Sequence, residues 1–361
     1  MLKHATLFSF ASTPERIGAR FIQMKPLLFC LLLFPVSMPL YAAGIAKYAG
    51  EFLSTGVGAR ALGMGGAHAA MPGDVIAGYW NPAGLASIDY PEIAGMHSRR
   101  FGGVVNYDVV ALATPFRSTA SLGLTVIRLA VDDIPITALP RPGLAIGEFY
   151  QDDEGQQKAN RPYVERTVND AEYAFLLSYA RSASARFAYG ANVKFIRKGM
   201  GDHTAWGIGF DIGALWNPWH ELLAGVNLQD GTTTLLAWDT GRQELISPTL
   251  KAGLSYPFSI GLLASELRLA GDVDLRFEGR DLAAQAAVGP ASLDLHLGAE
   301  WLVRRAVALR LGSDSGHLTA GAGLRLPRLD VDYAFLSHDE LKVTHRVSLR
   351  LRFEEEQFAR Q

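Results

Sequence analysis

The feature that most constrains this chain is a two-residue alternation of apolar and charged side chains along its C-terminal half. From Glu266 to Glu278 the odd positions Leu267, Leu269, Gly271, Val273, Leu275 and Phe277 are apolar, whereas Glu266, Arg268, Asp272, Asp274, Arg276 and Glu278 carry charge. Successive side chains of a strand point to opposite faces, so this stretch predicts a strand with one oily and one charged face. The same division sets Leu293, Leu295, Leu297 and Trp301 against Asp294, His296 and Glu300. It returns as Leu329, Val331, Tyr333 and Phe335 against Arg328, Asp330 and Asp332, and as Val347, Leu349, Leu351 and Phe353 against Arg346, Ser348, Arg350 and Arg352.

Less polar alternation runs through 173–180, 186–196, 205–216, 221–229, 249–256, 306–312 and 317–326, with weaker stretches at 92–99, 106–114 and 120–129. The total is about fourteen strands, an even number, as transmembrane barrels require. Connection lengths alternate in the same sense. Short links fall at Pro115–Thr119, Arg181–Ala185, Asn217–His220, Pro257–Leu263, Val303–Arg305 and Pro327; the longer ones are Val131–Asn169, Asp230–Ile246 and Gly279–Pro290. Aromatic residues mark both rims. Phe116, Trp216, Trp219, Tyr256, Phe258, Trp301 and Phe353 lie at the short-turn ends, and Tyr107, Phe195, Trp206, Phe277 and Phe335 near the long-loop ends. Aromatic side chains gather where hydrocarbon meets water, so the pattern predicts an all-β fold, a transmembrane antiparallel β-barrel.

The N-terminus reads as an export address. Met24-Lys25 is a positive start, Leu27 to Leu40 is apolar, and Tyr41-Ala42-Ala43-Gly44 offers a cleavage site, which makes residues 1–43 a signal peptide whose true start is either Met1 or Met24. The expected destination is the outer membrane of a Gram-negative bacterium, with its lipid as a partner. Residues 91–353 then form the barrel and 354–361 a periplasmic tail. A net charge of −2 lacks the basic field that nucleic-acid binding needs. One cysteine, Cys30, cannot form an internal disulfide, and no cofactor or metal cage is expected.

Residues 44–90 do not alternate. They are rich in glycine and end in Trp80-Asn81-Pro82-Ala83-Gly84-Leu85, which predicts a compact hatch inside the lumen. Gly56-Val57-Gly58-Ala59-Arg60-Ala61 matches a dinucleotide fingerprint formally, but no strand-helix-strand unit surrounds it. The hatch residues singled out are Gly58, Arg60, Gly63, Gly65, Gly66, Asp74, Trp80, Asn81 and Pro82.

Gly58-Ala59-Arg60-Ala61-Leu62-Gly63-Met64-Gly65-Gly66-Ala67, followed by Tyr79-Trp80-Asn81-Pro82-Ala83-Gly84-Leu85-Ala86, resembles the N-terminal signature of the PorV/PorQ family, which belongs with the FadL-type outer-membrane channels. Val131-Asp132-Asp133-Ile134-Pro135 is also similar to that family. The resemblance implies a fourteen-stranded barrel with a luminal hatch. It implies either a channel for hydrophobic molecules or a barrel partner of type IX secretion. Only 8 lysines among 34 basic residues depart from the lysine-rich bacteria in which that secretion system is typical, which favours the channel.

Asp202-His203, His220-Glu221 and His338-Asp339 pair acids with imidazoles, but adjacent strand residues face opposite ways and no nucleophile motif accompanies them, so no enzyme is expected. Asp211, Arg268, Asp272, Asp274, Arg276, Asp294, Glu300 and Arg350 are expected to face the lumen, as are Lys251, Arg310, Arg325, Asp330, Asp332 and Arg352. A charge on the lipid face costs ~2–4 kcal/mol at the midplane. Two functions fit: passive uptake of a hydrophobic or amphipathic small molecule, or a non-transporting barrel whose outer loops dock an exported protein. The polar Val131–Asn169 loop suits a lid or a docking surface.

Overall fold

The structure is a computed structural model that describes residues 49–261, 264–277, 284–337 and 343–360. Fourteen antiparallel strands form the wall: β1 Glu92–Arg100, β2 Val105–Phe116, β3 Ala120–Ala138, β4 Tyr163–Ser184, β5 Phe187–Met200, β6 His203–Trp219, β7 Leu222–Gln229, β8 Thr249–Ile260, β9 Ser265–Arg276, β10 Ala291–Val303, β11 Val307–Asp314, β12 His317–Arg325, β13 Leu329–Leu336 and β14 Thr344–Arg352. Each strand pairs with its chain neighbours, and β14 pairs with β1 from Glu92↔Arg352 to Arg99↔His345. The ring is therefore closed, and no edge is left to seek a partner. Among the described residues no helix is long and apolar enough to cross a membrane.

The alternation sets the inside and outside of the wall. Along β9 and β10, Asp272, Asp274, Asp294 and Glu300 are buried while Leu269, Leu295 and Leu297 are exposed. A soluble core would invert this arrangement; here the oily side is the outer one. Residues 49–91 precede β1 and touch inward-facing side chains of strands all around the ring, so they lie in the lumen. They form three short helices, α1 Glu51–Ser54, α2 Ala59–Gly63 and α3 Ala77–Trp80, and a 3₁₀ turn at Pro82–Ser87. Residues 1–43, expected to be a signal peptide, lie outside the described residues, as does His338-Asp339.

Three expectations need correction. Asp230–Ile246 is not a long loop. Thr234–Trp238 continues past the end of β7 along β6, from Leu235↔Ile208 to Trp238↔Ala205, and Gln243–Ile246 returns beside it to a tight turn at 239–242. Only the break at 230–233 is irregular, where Asp230 and Thr233 take positive φ. Leu235 and Ala237 point out and Leu236 in, an alternation masked by the threonines before it. Second, the Val131–Asn169 loop is shorter. β3 and β4 extend into it through two register shifts, leaving 139–162 with a small hairpin of Phe149–Gln151 and Gln157–Ala159. Third, Tyr107 is fully buried on the inner face rather than part of the rim, because it falls on the inward parity of β2.

Candidate functional site

The luminal segment is held by three kinds of contact, and the first is steric. Gly65 has φ +67, and a Cβ there would lie 2.4 Å from the Ser313 carbonyl oxygen and 2.7 Å from that of Leu297. The wall answers with its own glycine: a Cβ on Gly312 would lie 2.4 Å from the Gly65 nitrogen. Backbone meets backbone because neither position carries a side chain. Gly63 lies against Gly321 in the same way, and Gly66 against Trp80 and His296. The inward-facing wall glycines that receive the segment were not singled out in the sequence, since a glycine in an alternating strand reads only as a weak strand residue.

Hydrogen bonds between the segment and the wall are the second kind. The Ala59 N–H, just after Gly58 at the start of α2, donates to Ser348 Oγ at 3.1 Å. Thr319 Oγ1 donates to the Gly63 carbonyl at 3.2 Å. Asn81 Nδ2 donates both to the Ala69 carbonyl at 2.8 Å and to the wall carbonyl of Ala214 at 3.1 Å, while its Oδ1 caps the 3₁₀ turn that Pro82 begins. Trp80 Nε1 donates to the Val57 carbonyl at 2.8 Å, and the Trp80 carbonyl accepts from Asn227 Nδ2 at 2.9 Å. A buried amide with partners on both sides in this way ties the segment's turn to β6.

Charge is the third. Arg60 donates from Nε and Nη2 to the two carboxylate oxygens of Glu300 at 3.0 and 2.8 Å, and from Nη1 to Asp74 at 3.1 Å. Glu300 also accepts from Arg310 at 2.7 Å and from Arg325 at 3.3 Å, and Arg310 reaches Asp332 at 2.7 Å. Asp272 accepts the backbone N–H groups of His68 and Ala69 at 2.6 and 2.7 Å. Asp274 pairs with Lys251, with His296 at 3.5 Å and with Arg276 at 3.8 Å. Arg350 pairs with Asp330 and donates to the Gly73 carbonyl at 3.1 Å. Asp211 holds Lys194 at 3.0 Å, and Lys194 also reaches Asp230 at 2.9 Å. Asp294 accepts from the Gln285 N–H at 3.3 Å, away from the segment. Arg268 pairs with Glu266 at 2.8 Å near the short-turn end of the wall.

Lys194, Lys198, Glu92 and His296 also belong to this inner shell. Lys198 Nζ donates to the Ala49 carbonyl at 3.1 Å, the Val75 N–H donates to Glu92 at 3.0 Å, and His296 Nδ1 lies 2.9 Å from the Gly65 carbonyl. Their inward parity was readable from the alternation; their partners in the segment were not.

Space between segment and wall is uneven: toward the long-loop end a basin of about 440 Å³ lies between Glu51, Phe52 and Thr55 of the segment and Arg100, Glu172, Asp314 and Arg346 of the wall. One cavity of about 50 Å³ lies between α1, Tyr79, Lys194 and Arg276, and a mainly apolar one of about 30 Å³ is lined by Val57, Ile76, Met96, Val109 and Ala111, with Arg60, Asp74, Asp332 and Arg350 at its edge. At the short-turn end of the wall, a basin of about 1090 Å³ opens between Pro72, Gly73, Arg268, Arg305, Arg325 and Arg352. Arg360 closes a neighbouring part of that end, donating to the carbonyls of Ile88 and Ala120 and to Ser121 Oγ. At the opposite end the 139–162 loop is pinned by Asn160. In its hairpin the Lys158 ammonium, then the Gln156 N–H, holds the Asp152 carboxyl below its usual range. Of the acid-imidazole neighbours, Asp202 pairs with Arg166 at 2.8 Å and His203 with Asp239 at 3.2 Å.

No protein-family model matches the sequence, and no curated protein resembles it in sequence. Solved structures do resemble it in fold. The toluene transporter TbuX of Ralstonia pickettii superposes with a TM-score of 0.54 at 12% identity, covering 83% of this chain and 99% of that one. CymD, a monoaromatic hydrocarbon channel, gives 0.51 at 14% identity, over 83% and 98%. A FadL homologue of Pseudomonas aeruginosa gives 0.50 at 12% identity, over 82% and 98%. The shared fold is the FadL-type barrel; the narrower likeness to PorV/PorQ rests on the sequence motifs alone.

Proposed function

We propose that this chain is a passive channel of the Gram-negative outer membrane for a hydrophobic or amphipathic small molecule, and that residues 44–90 are its hatch. One observation carries the reading: a closed wall with an oily outer face encloses a segment fastened by glycine contacts, hydrogen bonds and ion pairs rather than by strand pairing. A plug that shares no ladder with the wall can shift without unzipping it. The fold neighbours support the same reading, since those named above are described as a toluene transporter and a hydrocarbon channel. Contacts that close the lumen here are short-range, so a displacement of a few ångströms opens space along the apolar cavity at Val57, Ile76 and Met96.

The test is whether purified protein carries or takes up apolar ligand. Extraction and mass analysis of protein isolated from membranes is expected to return a bound hydrophobic molecule, or one is captured from an offered panel of aromatic hydrocarbons, alkanes and long-chain acids. No occupancy across that panel contradicts the proposal.

A further inference from the structure

The outer face of the wall is apolar almost throughout, so its exceptions carry information. Outward positions of β6 through β13 hold no charged or imidazole side chain among the described residues. On the six adjacent strands β14, β1, β2, β3, β4 and β5 they hold His345, His97, Arg99, Asp108, Arg128, Asp132 and Arg197, toward the long-loop end. Arg181 is the exception at the opposite end. Such residues are costly on a lipid face at mid-depth and nearly free at the interface. Their confinement to one side of the barrel needs a further cause, because the interface runs all the way round.

Register makes them one surface. His97 lies opposite Asp108, Asp108 opposite Arg128, Arg128 opposite Tyr173, Tyr173 opposite Arg197 and Arg197 opposite Trp206. His97 Nδ1 stands 2.6 Å from Asp108, and Arg128 reaches Asp108 at 3.4 Å, Tyr173 Oη at 3.3 Å and Asp132 at 3.7 Å. Arg128 is thus held upright by its neighbours. Arg197 lies over the Trp206 ring at 5.6 Å, which fixes its plane and leaves its N–H edges open. Arg99 donates only to the Gly103 carbonyl, at 3.4 Å, and His345 stacks on Tyr333 beside it. Arg128 and Arg197 are two strands apart, on the order of 10 Å, too far for one phosphate and suited to a larger anionic headgroup. Three arginines against Asp108 and Asp132 leave the row with one net positive charge.

We propose that this row is the seat of a phosphorylated lipid headgroup in the leaflet at the long-loop end, with Arg99, Arg128 and Arg197 as its phosphate ligands. Guanidinium groups offer paired N–H donors to phosphate, and the interleaved tyrosine and tryptophan suit the level where headgroups meet hydrocarbon. The inference rests on the membrane placement proposed above but not on transport.

Native mass spectrometry of the full-length protein in detergent tests it, with diphosphorylated lipid A and its fully dephosphorylated form as probes. The wild type is expected to retain the diphosphorylated lipid preferentially. Arg128→Gln with Arg197→Gln is expected to lower that retention by about thirtyfold, the factor set by two arginines near a charged headgroup. Arg181→Gln leaves it unchanged. Equal retention of the two lipids by the wild type overturns the proposal without any variant having to fold. So does retention unaffected by the double substitution in a barrel that keeps its heat-modifiable migration, or equal occupancy by free inorganic phosphate. A dimer that the double substitution dissociates assigns the row to a second copy instead. Failure of small-molecule uptake with lipid binding intact would count against the transport reading alone.

Discussion

Arg60 in the luminal segment and Glu300 on β10 form a two-pronged ion pair, 240 residues apart in sequence, with bonds of 3.0 and 2.8 Å. Both side chains are nearly buried, at 10% and 3% exposure. Their roles are unequal, because Glu300 also serves Arg310 and Arg325 whereas Arg60 has only Asp74 besides. Glu300→Ala takes a shared carboxylate from three guanidinium groups, leaving Arg60 to Asp74, Arg310 to Asp332 and Arg325 without its acid, and is expected to cost about 3–5 kcal/mol, as breaking buried pairs does. Arg60→Ala leaves Glu300 partnered and is expected to cost less, about 1.5–3 kcal/mol. Urea unfolding followed by heat-modifiable gel migration measures both; the reverse order would show that Glu300 is not the hub.

Leu275 and Asp274 are neighbours on β9 with opposite aspects. Leu275→Arg places a charge on the oily face at the next-to-last residue of β9, near the long-loop rim, and is expected to weaken insertion by up to ~1 kcal/mol, against ~2–4 kcal/mol for the same change at the midplane. Asp274→Asn removes the partner of Lys251 inside the lumen, so the barrel is expected to insert but to melt earlier. Folding into liposomes, read by protease resistance, separates the two. Equal failure would place the register one residue out.

Gly312→Val is expected to dislodge the segment without harming the wall, because the added carbon meets the Gly65 nitrogen at 2.4 Å and the outward face of β11 is untouched. Single-channel recording should show larger or noisier conductance than wild type. Unchanged conductance together with unchanged melting would mean that the two backbones are not in contact.

Deleting residues 46–87 carries that logic further. The β1–β14 ladder closes the ring without help from the segment, so the truncated protein is expected to insert and to form a wider pore in planar bilayers. Asp272 loses its two backbone donors in the deletion but gains water in the emptied lumen. Loss of insertion would make the segment part of the folding core.

The wall was legible because alternation reports which way a side chain points, and in a closed ring only two directions exist. Asp272, Asp274 and Glu300 could be placed inward from parity alone. What parity cannot carry is the partner across the lumen: nothing in the spacing of Arg60 and Glu300 ties them together, and the matching of Gly65 to Gly312 depends on how the segment threads. Thr234–Trp238 escaped notice because Asp230 and Thr233 take positive φ just before it and interrupt the pattern. Tyr107 was placed on the rim by residue type, where its parity on β2 turns it inward.

The central claim is that the barrel passes a hydrophobic or amphipathic molecule and that the luminal segment governs the passage. Uptake of a radiolabelled panel of toluene, an alkane and a long-chain acid into proteoliposomes tests it most directly, with wild type compared against Arg60→Ala and the 46–87 deletion. Uptake of at least one compound above protein-free liposomes, faster in both variants, is the expected result. Uptake indistinguishable from protein-free liposomes for every compound and every variant, with the barrel folded and inserted, would contradict the account.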